Sequence, residues 1–204
     1  LTATDNFSRE VADADAVDGV GGTQVVEGQT GHSALLRISI IGETEFDTRL
    51  RSDIAVLEAR VRQVALDQVD FLDRTQALRD PAETEAGLSD IQRQTASSLS
   101  GGEVRLARRV RELAQRFQKL AERLDGGDSS DPESRNRLLS IARALREVAD
   151  DPMADASAVL TRAAESTAQS DQAKAIRDAI RSEERAGERF QSLIRSMSQW
   201  GSFQ

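Results

Sequence analysis

From Leu50 onward, Ile54, Leu57, Val61, Val64, Gln68, Phe71, Thr75 and Leu78 follow one another at alternating steps of four and three. This seven-residue repeat sets one line of side chains along a helix and calls for other helices lying lengthwise against it. A bundle or coiled coil is the architecture that satisfies it. Two members of the line, Gln68 and Thr75, are polar. Either they pair with polar groups on a facing helix, fixing register or oligomeric state, or they lie at the edge of the stripe and reach water.

The pattern continues down the chain. The first helix is expected over about 43–79: Thr44 and Asp47 resemble a capping box, and Pro81, after Asp80, marks its end because proline tolerates only a helix's first turn. A second helix, about 82–124, carries Leu88, Ile91, Leu99, Leu106, Val110, Leu113, Phe117, Leu120 and Leu124 in one phase. The phase survives Gly101-Gly102, so one long helix is expected, weakened there by roughly 1 kcal/mol per glycine. After the glycine-containing stop at 125–131, further helices are expected over about 132–149, 153–166 and 170–200. The last has the line Ala173, Ile176, Ile180, Glu183, Gly187, Phe190, Ile194 and Met197, with Glu183 its charged member. Residues 1–42 read instead as loop and short β-strands, Thr23 to Glu27 and the better Ala34 to Ile41, which either pair with each other across the glycine-rich turn or are the remnant of an upstream β domain. The opening at Leu1 rather than Met reads as a processed or excised piece of a longer protein. The expected fold is mainly α: an elongated antiparallel helical bundle or coiled coil over 43–204, with a short N-terminal β/loop segment.

Charge supports the antiparallel arrangement. Over 43–80, 81–127, 128–167 and 168–204 the net charges are -3, +1, -3 and +1, so sequential helices alternate in sign. The whole chain carries -8, with 3% aromatic residues, which disfavours nucleic acid and base-stacking platforms. Cysteine is absent, which excludes disulfides and thiolate metal sites. No apolar run approaches the roughly 20 residues that span a bilayer as a helix.

No catalytic, cofactor or metal constellation emerges. His32, the only histidine, sits in Gly31-His32-Ser33 with no second histidine or cysteine to complete a zinc site, and the triplet lacks a nucleophile elbow. Asp150-Asp151 and Glu183-Glu184 lack the spacing of a calcium loop and read as surface charge. Arg105, Arg108, Arg109 and Arg116 share a helix side and form a candidate anion-binding face, although Glu103 and Glu112 interrupt the cluster. Phe190, Ile194, Met197 and Trp200 form a candidate partner contact near the C-terminal end.

Three segments carry a resemblance: Ala3-Thr4-Asp5-Asn6-Phe7, Leu72-Asp73-Arg74-Thr75-Gln76-Ala77-Leu78 and Met197-Ser198-Gln199-Trp200-Gly201-Ser202-Phe203-Gln204. Together they resemble uncharacterised large bacterial envelope proteins with a membrane anchor, an Ig-like region and long coiled-coil helices. Ser8 stands where that pattern has glycine. The resemblance implies an extracytoplasmic scaffold without a known activity or site residue. The expected role is therefore a non-enzymatic structural or protein-interaction module, without cofactor, whose partners are other helices or its own copies as a homo-oligomer. The alternative is a regulatory module that binds anions through the Arg105 to Arg116 face.

Overall fold

The structure, a computed structural model, describes residues 43–125 and 132–201. The expected N-terminal strands, His32 and the 126–131 turn lie outside these residues. Among the described residues there are six helices: α1 (Glu43–Gln76), α2 (Arg79–Glu83), α3 (Asp90–Asp125), α4 (Pro132–Asp150), α5 (Pro152–Glu165) and α6 (Gln169–Gly201).

The boundary between the first two long helices differs from expectation. α1 stops at Gln76, Pro81 lies inside the short α2, and the second long helix begins only at Asp90. Proline is tolerated in α2 because the first-turn N–H groups have no intrahelical partner to lose. The start of α3 is set by Ser89 and Gln92. The Gln92 N–H donates to Ser89 Oγ (3.4 Å) and the Ser89 N–H donates to Gln92 Oε1 (2.9 Å), a reciprocal capping box. Ile91, expected on the inner line, is 77% exposed. The buried line runs Ala96, Leu99, Glu103, Leu106, and counting back one turn from Ala96 gives Gln92 rather than Ile91. Gly101 and Gly102 both lie within α3, which passes through them unbroken.

α4 and α5 form one kinked arm. Asp151 leaves helical geometry (φ -113°, ψ -85°) because Pro152 follows it, and α5 then begins with that proline in its first turn. The chain continues in the same sense instead of reversing.

Four arms result: α1 with α2, α3, α4–α5, and α6. Arg123 of α3 pairs with Asp53 of α1 and Arg109 with Asp67, so rising numbers on one match falling numbers on the other. The same antiparallel register joins α3 to the third arm through Arg111–Asp150 and the third arm to α6 through Asp155–Arg185 and Asp151–Arg189. Thr75–Glu183 and Arg62–Ser198 set it between α1 and α6. Each arm thus packs on its sequence neighbours and α6 closes on α1, an up-down-up-down bundle. Among the described residues, every ion pair between arms takes its arginine from α3 or α6 and its carboxylate from the α1–α2 arm or the α4–α5 arm, the kink residue Asp151 included. Those exposed pairs are worth about 0–1 kcal/mol each, enough to favour one arrangement of arms without driving folding.

Burial of the apolar stripes does that. One cluster gathers Leu57, Val61 and Val64 with Leu106–Leu124, Leu138–Met153 and Ala186–Met197; Phe117 and Phe190 are its largest fully buried side chains. A second, smaller cluster gathers Leu78, Leu88 and Leu99 with Val159–Ala163 and Ala173–Ile180. Phe71 packs against both.

Candidate functional site: a buried carboxyl layer

Between the two clusters each arm contributes polar side chains to the interior. They are Gln68 and Thr75 from α1, Ser100 and Glu103 from α3, Ser157 from α5, and Ser182 and Glu183 from α6, all buried. The helical repeat carries them there: each occupies a position one or two turns from apolar residues on its own inner line. Glu103 lies four residues after Leu99 and three before Leu106; Glu183 lies three after Ile180 and seven before Phe190. Both glutamates are completely buried.

Gln68 Nε2 donates to Glu103 Oε1 (2.8 Å), and Thr75 Oγ1 donates to Glu183 Oε1 (2.9 Å). One face of α1 therefore supplies a donor to each glutamate. Of the two sequence readings of Gln68, Thr75 and Glu183, the buried interhelical one holds. The second carboxyl oxygens, Glu103 Oε2 and Glu183 Oε2, receive no donor from any other group, and neither does Gln68 Oε1. Burial disfavours the charged form of each acid and raises Glu103 to about 7 against the opposing bonds from Gln68 and Glu183. Glu183 is raised to about 8, first by burial and then by repulsion from Glu103, with Thr75 pulling the other way. The two carboxyls lie within hydrogen-bonding reach of each other. A proton on either one supplies the donor that their facing oxygens otherwise lack.

The hydroxyls form a separate knot beside them. Ser100 Oγ lies 3.1 Å from Ser157 Oγ and 2.8 Å from Thr161 Oγ1, and it donates to the Ser157 carbonyl (2.9 Å). Gly102 allows Phe71 to lie against α3 at this level, since a Cβ there would fall 2.3 Å from the phenyl ring. Chemically, the layer holds protons at carboxyls shut away from solvent. Among the described residues there is no group of three or more histidine, cysteine, aspartate and glutamate side chains placed to hold a metal ion.

The residues singled out in the sequence are distributed elsewhere. Arg105 and Arg108 are exposed, and Arg109 pairs with Asp67 of α1 at 3.0 Å. Arg116 lines a different feature, a groove of about 320 Å³ between α1 and α3, with Arg60, Lys119 and Arg123 around an apolar floor that includes Leu57 and Leu120. Phe190 and Met197 are buried in the bundle's own core and Ile194 packs against it. They are therefore occupied internally. Trp200 lies on α6, and its side chain is outside the described residues. Asp150 and Asp151 are surface carboxylates taken up by Arg111 and by Arg185 and Arg189. Glu103 was legible only as an acid interrupting the arginine cluster, although its place midway between Leu99 and Leu106 was a usable sign that it faces inward. No protein family, curated protein or solved structure matches the chain. Among the described residues no helix is long and apolar enough to cross a membrane.

Proposed function

We propose that the chain is a non-enzymatic scaffolding module of a larger, extracytoplasmic protein, presenting helix faces to protein partners that include its own copies. The observation that carries this reading is the outer surface of α1. Val56, Leu66 and Val69 are 49%, 64% and 47% exposed on a helix whose inner line is already engaged by α3 and α6. Large apolar side chains left in water along a helix already packed on its other side suit contact with a further helix. The extracytoplasmic placement rests on the sequence resemblance alone.

Light scattering over a concentration series tests it. The weight-average mass should rise above 22.3 kDa with concentration and return to that value in the Leu66→Ser/Val69→Ser double variant. An unchanged monomer mass at every concentration would remove self-association. Turnover in a substrate screen that disappears on a single carboxylate substitution would overturn the non-enzymatic reading.

The basic groove favours a second reading, an anion-binding module. Arg60, Arg116, Lys119 and Arg123 stand around it with Asp53 as the one acid. That set shares only Arg116 with the face expected from sequence. Retention on heparin that falls steeply with salt would support it, and passage without retention at low salt would sink it.

A further inference from the structure

α1 is the least embedded of the long arms. Within it Leu57, Val61 and Val64 are its only buried apolar side chains among the described residues, whereas Leu50, Ile54, Phe71 and Leu72 are half-buried. α3, of similar length, buries an apolar residue at nearly every inward turn from Ala96 to Leu124. Much of what fixes α1 is therefore polar: Gln68 bonded to Glu103 on α3, and Thr75 bonded to Glu183 on α6. The two glutamates meet behind α1, each with one buried oxygen that has no donor.

The surroundings offer this pair no counter-charge. α1 faces it with the neutral Gln68 and Thr75, α5 brings the hydroxyls of Ser157 and Thr161 to the same layer, and α6 adds Ser182. On α3 and α6 the charged groups acting on each glutamate reduce to the other glutamate. Nearby Arg185 points outward to Asp151 and Asp155, and among the described residues no arginine or lysine forms an ion pair with either acid.

We propose that α1 is a proton-latched arm, docked while Glu103 and Glu183 hold a proton between their facing oxygens and released from α3 and α6 when that proton is lost. Loss of the proton leaves two like charges shut away from solvent with no basic side chain paired to either among the described residues, and the least costly way to hydrate them is to move the arm that covers them. With α1 away, both carboxyls face solvent and titrate as ordinary glutamates.

The sign follows from linkage. The docked form holds its protons up to about 7 at Glu103 and about 8 at Glu183, against 4.5 for a free glutamate. Docking is thus strongest below that ordinary value, weakens as pH rises, and is weakest once the pH has passed about 8. Each proton released on opening multiplies the open population about tenfold per pH unit.

Hydrogen exchange followed by mass spectrometry on the full chain, corrected for the intrinsic pH dependence of exchange, reads the latch directly. Between pH 6 and 8, amides of residues 57–76 should lose at least about tenfold in protection relative to those of α4 and α5. The Glu103→Gln/Glu183→Gln variant, permanently neutral at both positions, should hold its α1 protection within about twofold over the same range. A parallel loss in the wild type and the variant, an equal loss across all arms, or no loss at all would each overturn the proposal. If the variant does not fold, a carbon-13 titration of the wild-type glutamate carboxyls decides. Two carboxyls titrating well above the other glutamates support the latch, and all of them titrating together near the ordinary value overturns it.

Discussion

Gly101 and Gly102 are adjacent on α3 and have opposite surroundings. A Cβ on Gly101 would meet only the flexible tip of Arg105 at 3.4 Å, whereas one on Gly102 would fall 2.3 and 2.4 Å from two carbons of the Phe71 ring. Gly101→Ala should therefore stabilise the protein by up to about 1 kcal/mol through helix propensity. Gly102→Ala gains the same propensity but forces Phe71 from the junction of the two clusters, and should destabilise by about 1–3 kcal/mol net. Urea denaturation of the two single variants checks the pair, and equal effects would mean that Phe71 moves aside without cost. The sequence showed both glycines as the same weak spot, because helical phase says where a glycine points but not what lies opposite it. The same distinction applies to the polar positions. Gln68, Thr75 and Glu183 stood visibly on apolar lines, but their partners are separated by 35 residues for Gln68–Glu103 and 108 for Thr75–Glu183. Pairing at that range is decided by how the arms assemble.

At the scale of elements, the connections departed furthest from expectation. Proline at 81 drew the predicted boundary toward itself, while α1 stops at Gln76, Pro81 sits inside the short α2, and the physical start of α3 is the Ser89–Gln92 box. The turn between them is held from across the bundle by α6. Gln172 Oε1 accepts from the Leu88 N–H (2.7 Å), and its Nε2 donates to the Ser166 carbonyl (2.7 Å) at the end of α5. Gly87, at φ +64°, supplies the left-handed residue the turn needs, and a Cβ there would also come within 2.5 Å of Gln172 Oε1. One glutamine thereby ties both interhelical turns at this end of the bundle. Gln172→Ala leaves the buried Leu88 N–H without its partner and should cost about 1–3 kcal/mol. Thermal denaturation measures the loss, and a change within about 0.5 kcal/mol would show that neither turn depends on the tie. No local sequence pattern marks the tie to Leu88, which lies 84 residues before Gln172.

For the whole molecule, the mainly α bundle was legible because each arm carries its own apolar stripe, and the alternation of net charge matches which arms supply arginines and which supply carboxylates. The internal layer should make the molecule lose stability on the alkaline side. Glu103 and Glu183 are raised on folding, so the stability they contribute is complete below the ordinary glutamate value and is lost as pH climbs to about 8. The urea midpoint at constant ionic strength should fall between pH 6 and 8 by the equivalent of more than about 1 kcal/mol, and this fall should vanish in Glu103→Gln/Glu183→Gln. A midpoint that rises over this range would contradict the buried pair's protonation. The up-down-up-down path has a mechanical corollary. Because four arms alternate in direction, the last turns of α6 run beside the middle of α1, with Ser198 at Arg62, and the chain leaves both helices toward the same side of that contact. Tension applied through the chain on either side would peel α1 from α6 contact by contact, like a zipper, instead of shearing the whole helix face at once. The first arm to yield under load would then be the one that carries Gln68 and Thr75, leaving the other three packed together.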